Sequence, residues 1–114
     1  MMTDNIFLKI INRQIPATIA YEDDHCLAFH DINPQAPIHV LIIPKKVIVA
    51  HDEIAAEDGE LLGRMHVAAA RLARDLGLND GYRLAIHRRE KAGHTVPHLP
   101  MHLVGGRSLP WPPG

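Results

Sequence analysis

The sequence predicts an α+β domain with a five-stranded, mostly antiparallel sheet, a short N-terminal helix and one long helix. Short β-rich segments follow one another closely on either side of a single long amphipathic stretch. Neighbouring segments behave as hairpin partners, which favours antiparallel pairing. A chain of 114 residues with 46% hydrophobic side chains is enough for one core, and no repeat or linker divides it. We therefore expect a single domain over residues 1–114.

The first half of the chain predicts one helix and three strands. A short helix is expected from a cap at Asp4 to about Arg13. Its apolar face would consist of Ile6, Phe7, Ile10 and Ile11. The three strands are predicted at residues 17–21, 26–30 and 38–43. The third is apolar without alternation, which indicates a strand that is covered on both faces.

The second half predicts the long helix and two further strands. Apolar side chains repeat at helical spacing from about residue 58 to residue 76, and Gly77 follows as a left-handed terminator. Strands are predicted at residues 82–86 and 96–104, with a charged loop between them. These elements complete the five strands and two helices of the predicted fold.

Charge and cysteine content exclude several classes of protein. Twelve Lys and Arg against thirteen Asp and Glu give a net charge of -1, without the basic excess of a general nucleic-acid binder. The single cysteine, Cys26, cannot form an internal disulfide. No apolar run approaches the roughly 18–20 residues of a membrane span, and the N-terminus lacks the basic charge of a signal peptide. We expect a cytoplasmic protein with no nucleic-acid and no membrane partner.

Histidines are concentrated in the last predicted strand. Alternate residues of a strand point to the same face. One face of this strand would therefore carry His94, Val96, His98, Pro100, His102 and Val104. His98 and His102 would then lie about 13 Å apart along the strand. The pattern alone fits an ordinary half-buried strand about equally well. A zinc site is a weaker alternative, drawing on some of His39, His87, His94, His98 and His102.

The region around these histidines also resembles a known family signature. The segment GHTVPHLPMHLVGGR contains His94 to Gly106 and is similar to the histidine-triad (HIT) signature. In that signature, three histidines alternate with hydrophobic residues before Gly-Gly-Arg. The likeness extends through FHDINPQAPIHVLIIPKK at residues 29–46 and through the final SLPWPPG. It covers nearly the whole chain and is close to the Hint branch, the purine nucleoside phosphoramidases.

The resemblance implies a fold, an activity and a set of site residues. It implies a homodimer with a continuous sheet and a purine nucleotide, such as AMP or GMP, as the ligand. The implied reaction is hydrolysis of phosphorus–nitrogen bonds, with no metal or other cofactor. The nucleotide-binding residues that it implies are Phe7, Ile10, Phe29, His30, Asp31, Ile32, His87, Gly93, Thr95 and His102. Asp31 would accept from the ribose hydroxyls, and Trp111 would approach the partner's site. The implied catalytic group is His39, Thr95, His98 and His102, with His98 in an orienting role.

One departure from the signature affects the chemistry directly. The family's middle histidine is a nucleophile that forms a nucleotidyl-histidine intermediate, and Pro100 stands at that position. A proline nitrogen has no basic lone pair and cannot attack phosphorus. His98 and His102 are each about 6.5 Å away along a strand, whereas covalent chemistry needs reacting atoms about 3–3.5 Å apart. His87 and His94 also replace the asparagine and glutamine that are usual in the family. We expect a nucleotide-binding protein impaired in covalent catalysis, with a non-catalytic sensor or scaffold dimer as the alternative.

Overall fold

An antiparallel sheet frames the protein in a computed structural model that describes residues 5–114. Two helices accompany it, α1 (Ile6–Ile11) and α2 (Gly59–Asp75). The strands are β1 (Ile19–Glu22), β2 (Cys26–His30), β3 (Ile38–Pro44), β4 (Tyr82–Ala85) and β5 (Met101–Gly105). Their order in the sheet is β1-β2-β3-β5-β4, and each of these neighbours is antiparallel. The predicted fold class is confirmed.

Helix α1 begins at a side-chain cap. The Asn5 side-chain oxygen accepts a hydrogen bond from the backbone N–H of Leu8 at 2.9 Å, which satisfies one unpaired donor of the first turn. The predicted cap at Asp4 lies outside the described residues. Phe7 and Ile10 are the buried side chains of this helix and pack on the sheet. The helix therefore covers part of one sheet face with two buried apolar side chains.

Helix α2 covers the opposite sheet face with the stripe that its periodicity predicted. The buried members of the stripe are Met65, Ala68, Ala69, Leu72 and Ala73. The helix terminates at Gly77, whose φ of 74° is left-handed, as expected. The N–H of Gly77 donates to the Arg74 carbonyl at 3.1 Å, and the N–H of Leu78 donates to the Ala73 carbonyl at 2.8 Å. These two bonds satisfy carbonyls of the last turn, in the Schellman arrangement.

Strands β2 and β3 alternate their side chains between two cores. The core on the α2 side includes Cys26, Ala28, Val40, Ile42, Met101 and Leu103. The core on the α1 side consists of Phe7, Ile10, Leu27, Phe29, Leu41 and Ile43. Six of the seven residues of β3 are buried, so the prediction of a strand covered on both faces is confirmed.

The last strand is shorter than the predicted residues 96–104. Strand β5 begins at Met101, because residues 96–100 leave the ladder, where Pro97 and Pro100 have no N–H to donate. In this segment the N–H of His98 donates to the Val96 carbonyl at 2.8 Å and that of Leu99 donates to the Ile48 carbonyl at 2.7 Å. The His98 ring nevertheless lies on the α1 side of the sheet, with its centroid 6.3 Å from that of Phe7.

The remaining differences are at strand ends. Strand β1 begins two residues later than predicted, and its pairing with β2 shifts register between Ile19 and Tyr21. Strand β4 ends at Ala85, one residue earlier than predicted. Within residues 5–114, no helix combines the length and hydrophobicity needed to cross a membrane.

Candidate functional site

A cleft of about 310 Å³ opens on the α1 side of the sheet. Its apolar wall is formed by Phe7 and Ile10 of α1, Phe29 of β2 and Leu41 of β3. The rings of Phe7 and Phe29 are 5.7 Å apart between centroids and tilted by 59°. Two phenylalanine rings beside aliphatic side chains form a surface suited to a planar apolar or aromatic group.

Imidazoles also line the cleft. His102 of β5 is central, because its strand pairs it with Leu41 on one side and with Ala85 on the other. The His102 ring centroid lies 5.2 Å from that of His39 and 4.8 Å from that of His87. Sheet register therefore brings three histidines together from β3, β5 and the segment after β4.

A chain of hydrogen bonds fixes the tautomers of two of these histidines. The backbone N–H of Gln35 donates to Nδ1 of His39 at 3.1 Å. Neutral His39 must then carry its proton on Nε2, which lies 2.9 Å from Nδ1 of His102 and donates to it. Neutral His102 consequently carries its proton on Nε2. His102 can therefore donate a hydrogen bond from its Nε2, while the lone pair of its Nδ1 already accepts from His39.

The same pair is kept uncharged near neutral pH. Burial lowers the pKa of His102 to about 4, and the neighbouring His87 and His39 add to this effect while Asp31 opposes it. Burial also lowers the pKa of His39, which is opposed by the Asp31 carboxylate 3.5 Å from its Nε2. Both rings are therefore neutral, fixed dipoles at physiological pH.

Asp31 lies at the rim of the cleft, just beyond β2. One of its carboxylate oxygens accepts from the N–H of Asn33 at 2.8 Å, which holds the side chain in a local turn. The backbone N–H of Asp31 donates to the His39 carbonyl at 2.9 Å and anchors the same turn to β3. Ile32 follows at the rim with a 99% exposed side chain. An acidic acceptor is thus held at the rim of the cleft.

Comparison with known proteins gives this cleft a family context. Residues 12–109 match the HIT domain. The chain belongs to the HIT family. An uncharacterised HIT-like protein of Synechocystis sp. is 53% identical over 114 residues, which is 100% of both chains.

Two solved HIT structures extend the comparison. A HIT family hydrolase from Legionella pneumophila Philadelphia 1 is 46% identical, with a TM-score of 0.94 over 97% of this chain and 100% of that chain. A histidine triad nucleotide-binding protein from Candida albicans is 29% identical, with a TM-score of 0.81 over 96% of this chain and 83% of that chain. The fold of this chain is therefore the HIT fold throughout its described length.

The residues that the HIT resemblance implied for the ligand all line the one cleft. They are Phe7, Ile10, Phe29, His30, Asp31, Ile32, His87, Gly93, Thr95 and His102. His39 lines an adjoining hollow of about 390 Å³, which shares Asp31, His87, Gly93 and His102 with the cleft. The fold thus brings side chains from positions 7 to 102 together in one cleft.

His98 is the member of the expected catalytic group that lies outside the cleft. Its side chain is fully buried, and its Nε2 donates to the Pro44 carbonyl at 2.6 Å. Its Nδ1 accepts from the Asn5 side-chain amide at 3.0 Å. Burial lowers its pKa, so the neutral ring persists at neutral pH. His98 therefore connects the start of α1 to the end of β3, which agrees with an orienting role.

Several cleft residues were not singled out from the sequence. They are Ile6, Ile15, Pro16, Ala17, Leu41 and Val96. Strand parity could have identified Leu41, because it pairs with both Phe29 and His102 in neighbouring strands. Periodicity had placed Ile6 on the apolar face of α1 and Val96 on the histidine face without assigning either to a ligand. Ile15, Pro16 and Ala17 lie in an irregular segment, where no periodicity indicates which way a side chain points.

Proposed function

We propose that the protein binds a purine nucleotide in this cleft as a relative of the nucleoside phosphoramidate hydrolases, and that Pro100 severely weakens or abolishes its covalent catalysis. The observation that carries the proposal is the assembly of all ten implied ligand residues around one volume. The name of the Candida albicans relative, a histidine triad nucleotide-binding protein, is consistent with it.

The apolar wall suits the purine base. Aromatic contacts contribute about 0.5–1.5 kcal/mol beyond the area they bury, and Phe7 and Phe29 offer two rings. Ile32 is almost fully exposed at the rim, so a bound ligand that covers it gains further apolar burial. The Asp31 carboxylate would accept from the ribose hydroxyls, as the resemblance implies.

The polar wall suits the phosphate. His102 presents the N–H of its Nε2 because its Nδ1 is engaged by His39. Thr95 adds a hydroxyl that lines the same cleft. Splitting a phosphorus–nitrogen bond needs donors of this kind for the charge that develops on phosphate oxygens. It also needs a nucleophile, or an activated water in its place.

Pro100 leaves the site without the nucleophile that the family resemblance implies. Its side chain lines the cleft but has no lone pair to attack phosphorus. The Cys26 side chain is fully buried, and burial raises the pKa of its thiol to about 12. His39, His98 and His102 have their lone pairs engaged in hydrogen bonds. These four groups are therefore poor replacements for the missing nucleophile, which supports binding as the main proposed function.

Calorimetry and kinetics test the two parts of this proposal separately. We expect AMP and GMP to bind the native protein, and failure to bind at millimolar ligand would overturn the nucleotide assignment. With an adenosine 5′-phosphoramidate as substrate, Pro100→His is expected to raise turnover by orders of magnitude. Pro97→His is the matched control, since Pro97 does not line the cleft. Equal activity of the native protein and Pro100→His would show that another residue carries the chemistry.

We further propose that the protein is a homodimer with a continuous sheet. The strand order leaves β1 and β4 at the two edges of the described sheet, each with unpaired backbone groups on its outer side. Edge-to-edge pairing of two copies would satisfy one such row of donors and acceptors. Analytical ultracentrifugation at micromolar concentration is expected to give a dimer, and a monomer would refute it.

Zinc binding is the second candidate, because one group of side chains has suitable spacing. Ligand atoms of Asp31, His39 and His102 lie within 4.8 Å of one another. A metal ion there would displace the proton that His39 donates to His102, so it competes with the hydrogen-bonded arrangement. His98 is engaged with Asn5 and Pro44 and takes no part. Stoichiometric zinc after dialysis would favour this candidate over nucleotide binding.

A further inference from the structure

The register of the sheet sets His87 beside Pro100. Strand β4 pairs Ala85 with His102 of β5. The same antiparallel register, continued by two residues, sets His87 opposite Pro100. Alternation supports this placement, because Ala85 and His87 both line the hollow beside the cleft, whereas Ile86 between them does not. Directly opposite residues carry their side chains on one face, with Cβ atoms about 4.5–5.5 Å apart. An imidazole therefore lies beside the position where the family resemblance places the nucleophile.

The His87 ring is free to accept a proton. It is half-buried and lines both the cleft and the adjoining hollow. Within residues 5–114, the hydrogen bonds to histidine rings involve His39, His98 and His102 and not His87. A neutral imidazole always has one nitrogen with a lone pair. Imidazole is also the side chain most often used as a general base, because it exchanges protons near neutral pH.

The backbone that carries His87 is held on both sides. Strand β4 ends two residues before it, at Ala85. The next residue, Arg88, forms an ion pair with Asp52, which lies 36 residues earlier in the chain. The ring is therefore presented to the cleft from an anchored segment.

The other imidazoles that line the cleft are placed less favourably for the same task. His102 already uses the lone pair of its Nδ1 to accept from His39. His30 is on β2, which is two strands away from β5 in the sheet. The His94 ring is 2% exposed and lies outside the strands of the sheet. His87 is the cleft imidazole that combines an unengaged ring with a place opposite Pro100.

We propose that His87 is a general base that activates water for direct attack on the phosphorus of a nucleoside phosphoramidate, without a nucleotidyl-histidine intermediate. This inference rests on the proposed function, in which the nucleotide occupies the cleft. The offset of about 5 Å from position 100 exceeds the separation of about 3–3.5 Å that reacting atoms need. A water molecule spans such an offset, because it hydrogen-bonds to an imidazole nitrogen at about 2.7–3.2 Å.

The step balances with water as its co-reactant. The water oxygen forms the new bond to phosphorus, and one of its protons passes to the free ring nitrogen of His87. The phosphorus–nitrogen bond breaks, and its electron pair leaves with the amine. The amine takes a proton from solvent, and the His87 imidazolium returns one to solvent. The products are the nucleoside monophosphate and the free amine, so slow turnover persists with Pro100 in place.

Kinetics of His87 variants measure the contribution of the base. We expect the native protein to hydrolyse an adenosine 5′-phosphoramidate slowly, and His87→Asn and His87→Ala each to lower kcat by about 10²-fold or more. AMP affinity, measured by calorimetry, should change by less than about tenfold. His66→Ala is the matched control, because His66 is exposed on α2, away from the cleft. Native turnover no faster than that of His87→Asn would overturn the inference and leave nucleotide binding intact. Equal losses of kcat and AMP affinity would also overturn it, because they indicate a binding role.

The configuration at phosphorus distinguishes direct attack from a covalent route. An adenosine 5′-phosphoramidothioate of one configuration is hydrolysed in oxygen-18 water, and the configuration of the thiophosphate product is determined. One displacement by water inverts the phosphorus centre, whereas two successive displacements through a nucleotidyl-histidine retain its configuration. We expect inversion with the native protein and retention with Pro100→His. Retention with the native protein would overturn the inference. If the native protein does not bind AMP, the proposed function fails and this inference fails with it.

Discussion

Replacing His98 with alanine should destabilise the protein. It should also weaken ligand binding, because it loosens α1, which forms part of the cleft. The fully buried ring makes two hydrogen bonds, to the Pro44 carbonyl at 2.6 Å and from the Asn5 amide at 3.0 Å. Each such bond contributes about 0.5–1.5 kcal/mol. Truncation of a large buried side chain adds a cavity term of about 2 kcal/mol or more. The free energy of unfolding should therefore fall by about 3–5 kcal/mol, a large part of the total for a domain of this size.

The substitution should also weaken ligand binding, because Asn5 contacts both His98 and the first turn of α1. Its side-chain oxygen caps α1 through the N–H of Leu8, while its amide donates to His98. Loss of His98 frees Asn5 from the end of β3 and loosens the helix that carries Phe7.

Urea unfolding of native protein, His98→Ala, Asn5→Ala and the double variant measures this coupling. The two sites should show an interaction energy of about 0.5–3 kcal/mol, whereas His66→Ala should change stability by less than about 0.5 kcal/mol. A His98→Ala variant as stable as native protein would refute the assignment of His98 as a structural anchor.

Two further predictions concern pH and backbone conformation. The folded protein holds the pKa values of His39, His98 and His102 below their usual range, so between about pH 6.5 and pH 4 the unfolded chain binds more protons. The free energy of unfolding should therefore fall as the pH is lowered from 7.5 to 5, and a flat urea-denaturation profile would contradict this. Gly77→Ala should destabilise the protein by about 1 kcal/mol because φ is 74°, whereas Gly63→Ala, within α2 and with open space around it, should stabilise it by about 0.5–1 kcal/mol. Equal effects of the two alanines would refute the backbone argument.

Local patterns in the sequence were sufficient for most of the fold. β-rich composition identified β2, and continuous hydrophobicity identified β3, each within one residue, because both strands are buried by cores on their two faces. Helical periodicity identified α2 because one stripe of the helix is buried against the sheet, and Gly77 marked its end because a left-handed φ favours glycine. These signals are local, so one sequence is enough to read them. Strand ends were less certain, as the late start of β1 beside a register shift illustrates.

The roles of individual histidines depended on partners far away in sequence. His98 is held by Asn5, 93 residues before it, and by Pro44, 54 residues before it. The tautomer of His102 depends on His39, 63 residues away. Neither relation leaves a periodic signal, so parity along one strand could not identify the hydrogen-bond partners of His98 and His102. The family resemblance supplied the grouping that periodicity could not.

Parity holds over the short stretch that decides the proposed chemistry. Leu99, Met101 and Leu103 are fully buried, while Pro100 and His102 line the cleft between them. Position 100 thus faces the ligand volume even though β5 begins one residue later. A histidine placed there would put its ring on the cleft side, beside the donor that His39 has already fixed on His102. This is why Pro100→His should restore a nucleophile to an assembled site, whereas the same substitution at Pro97, which does not line the cleft, should not.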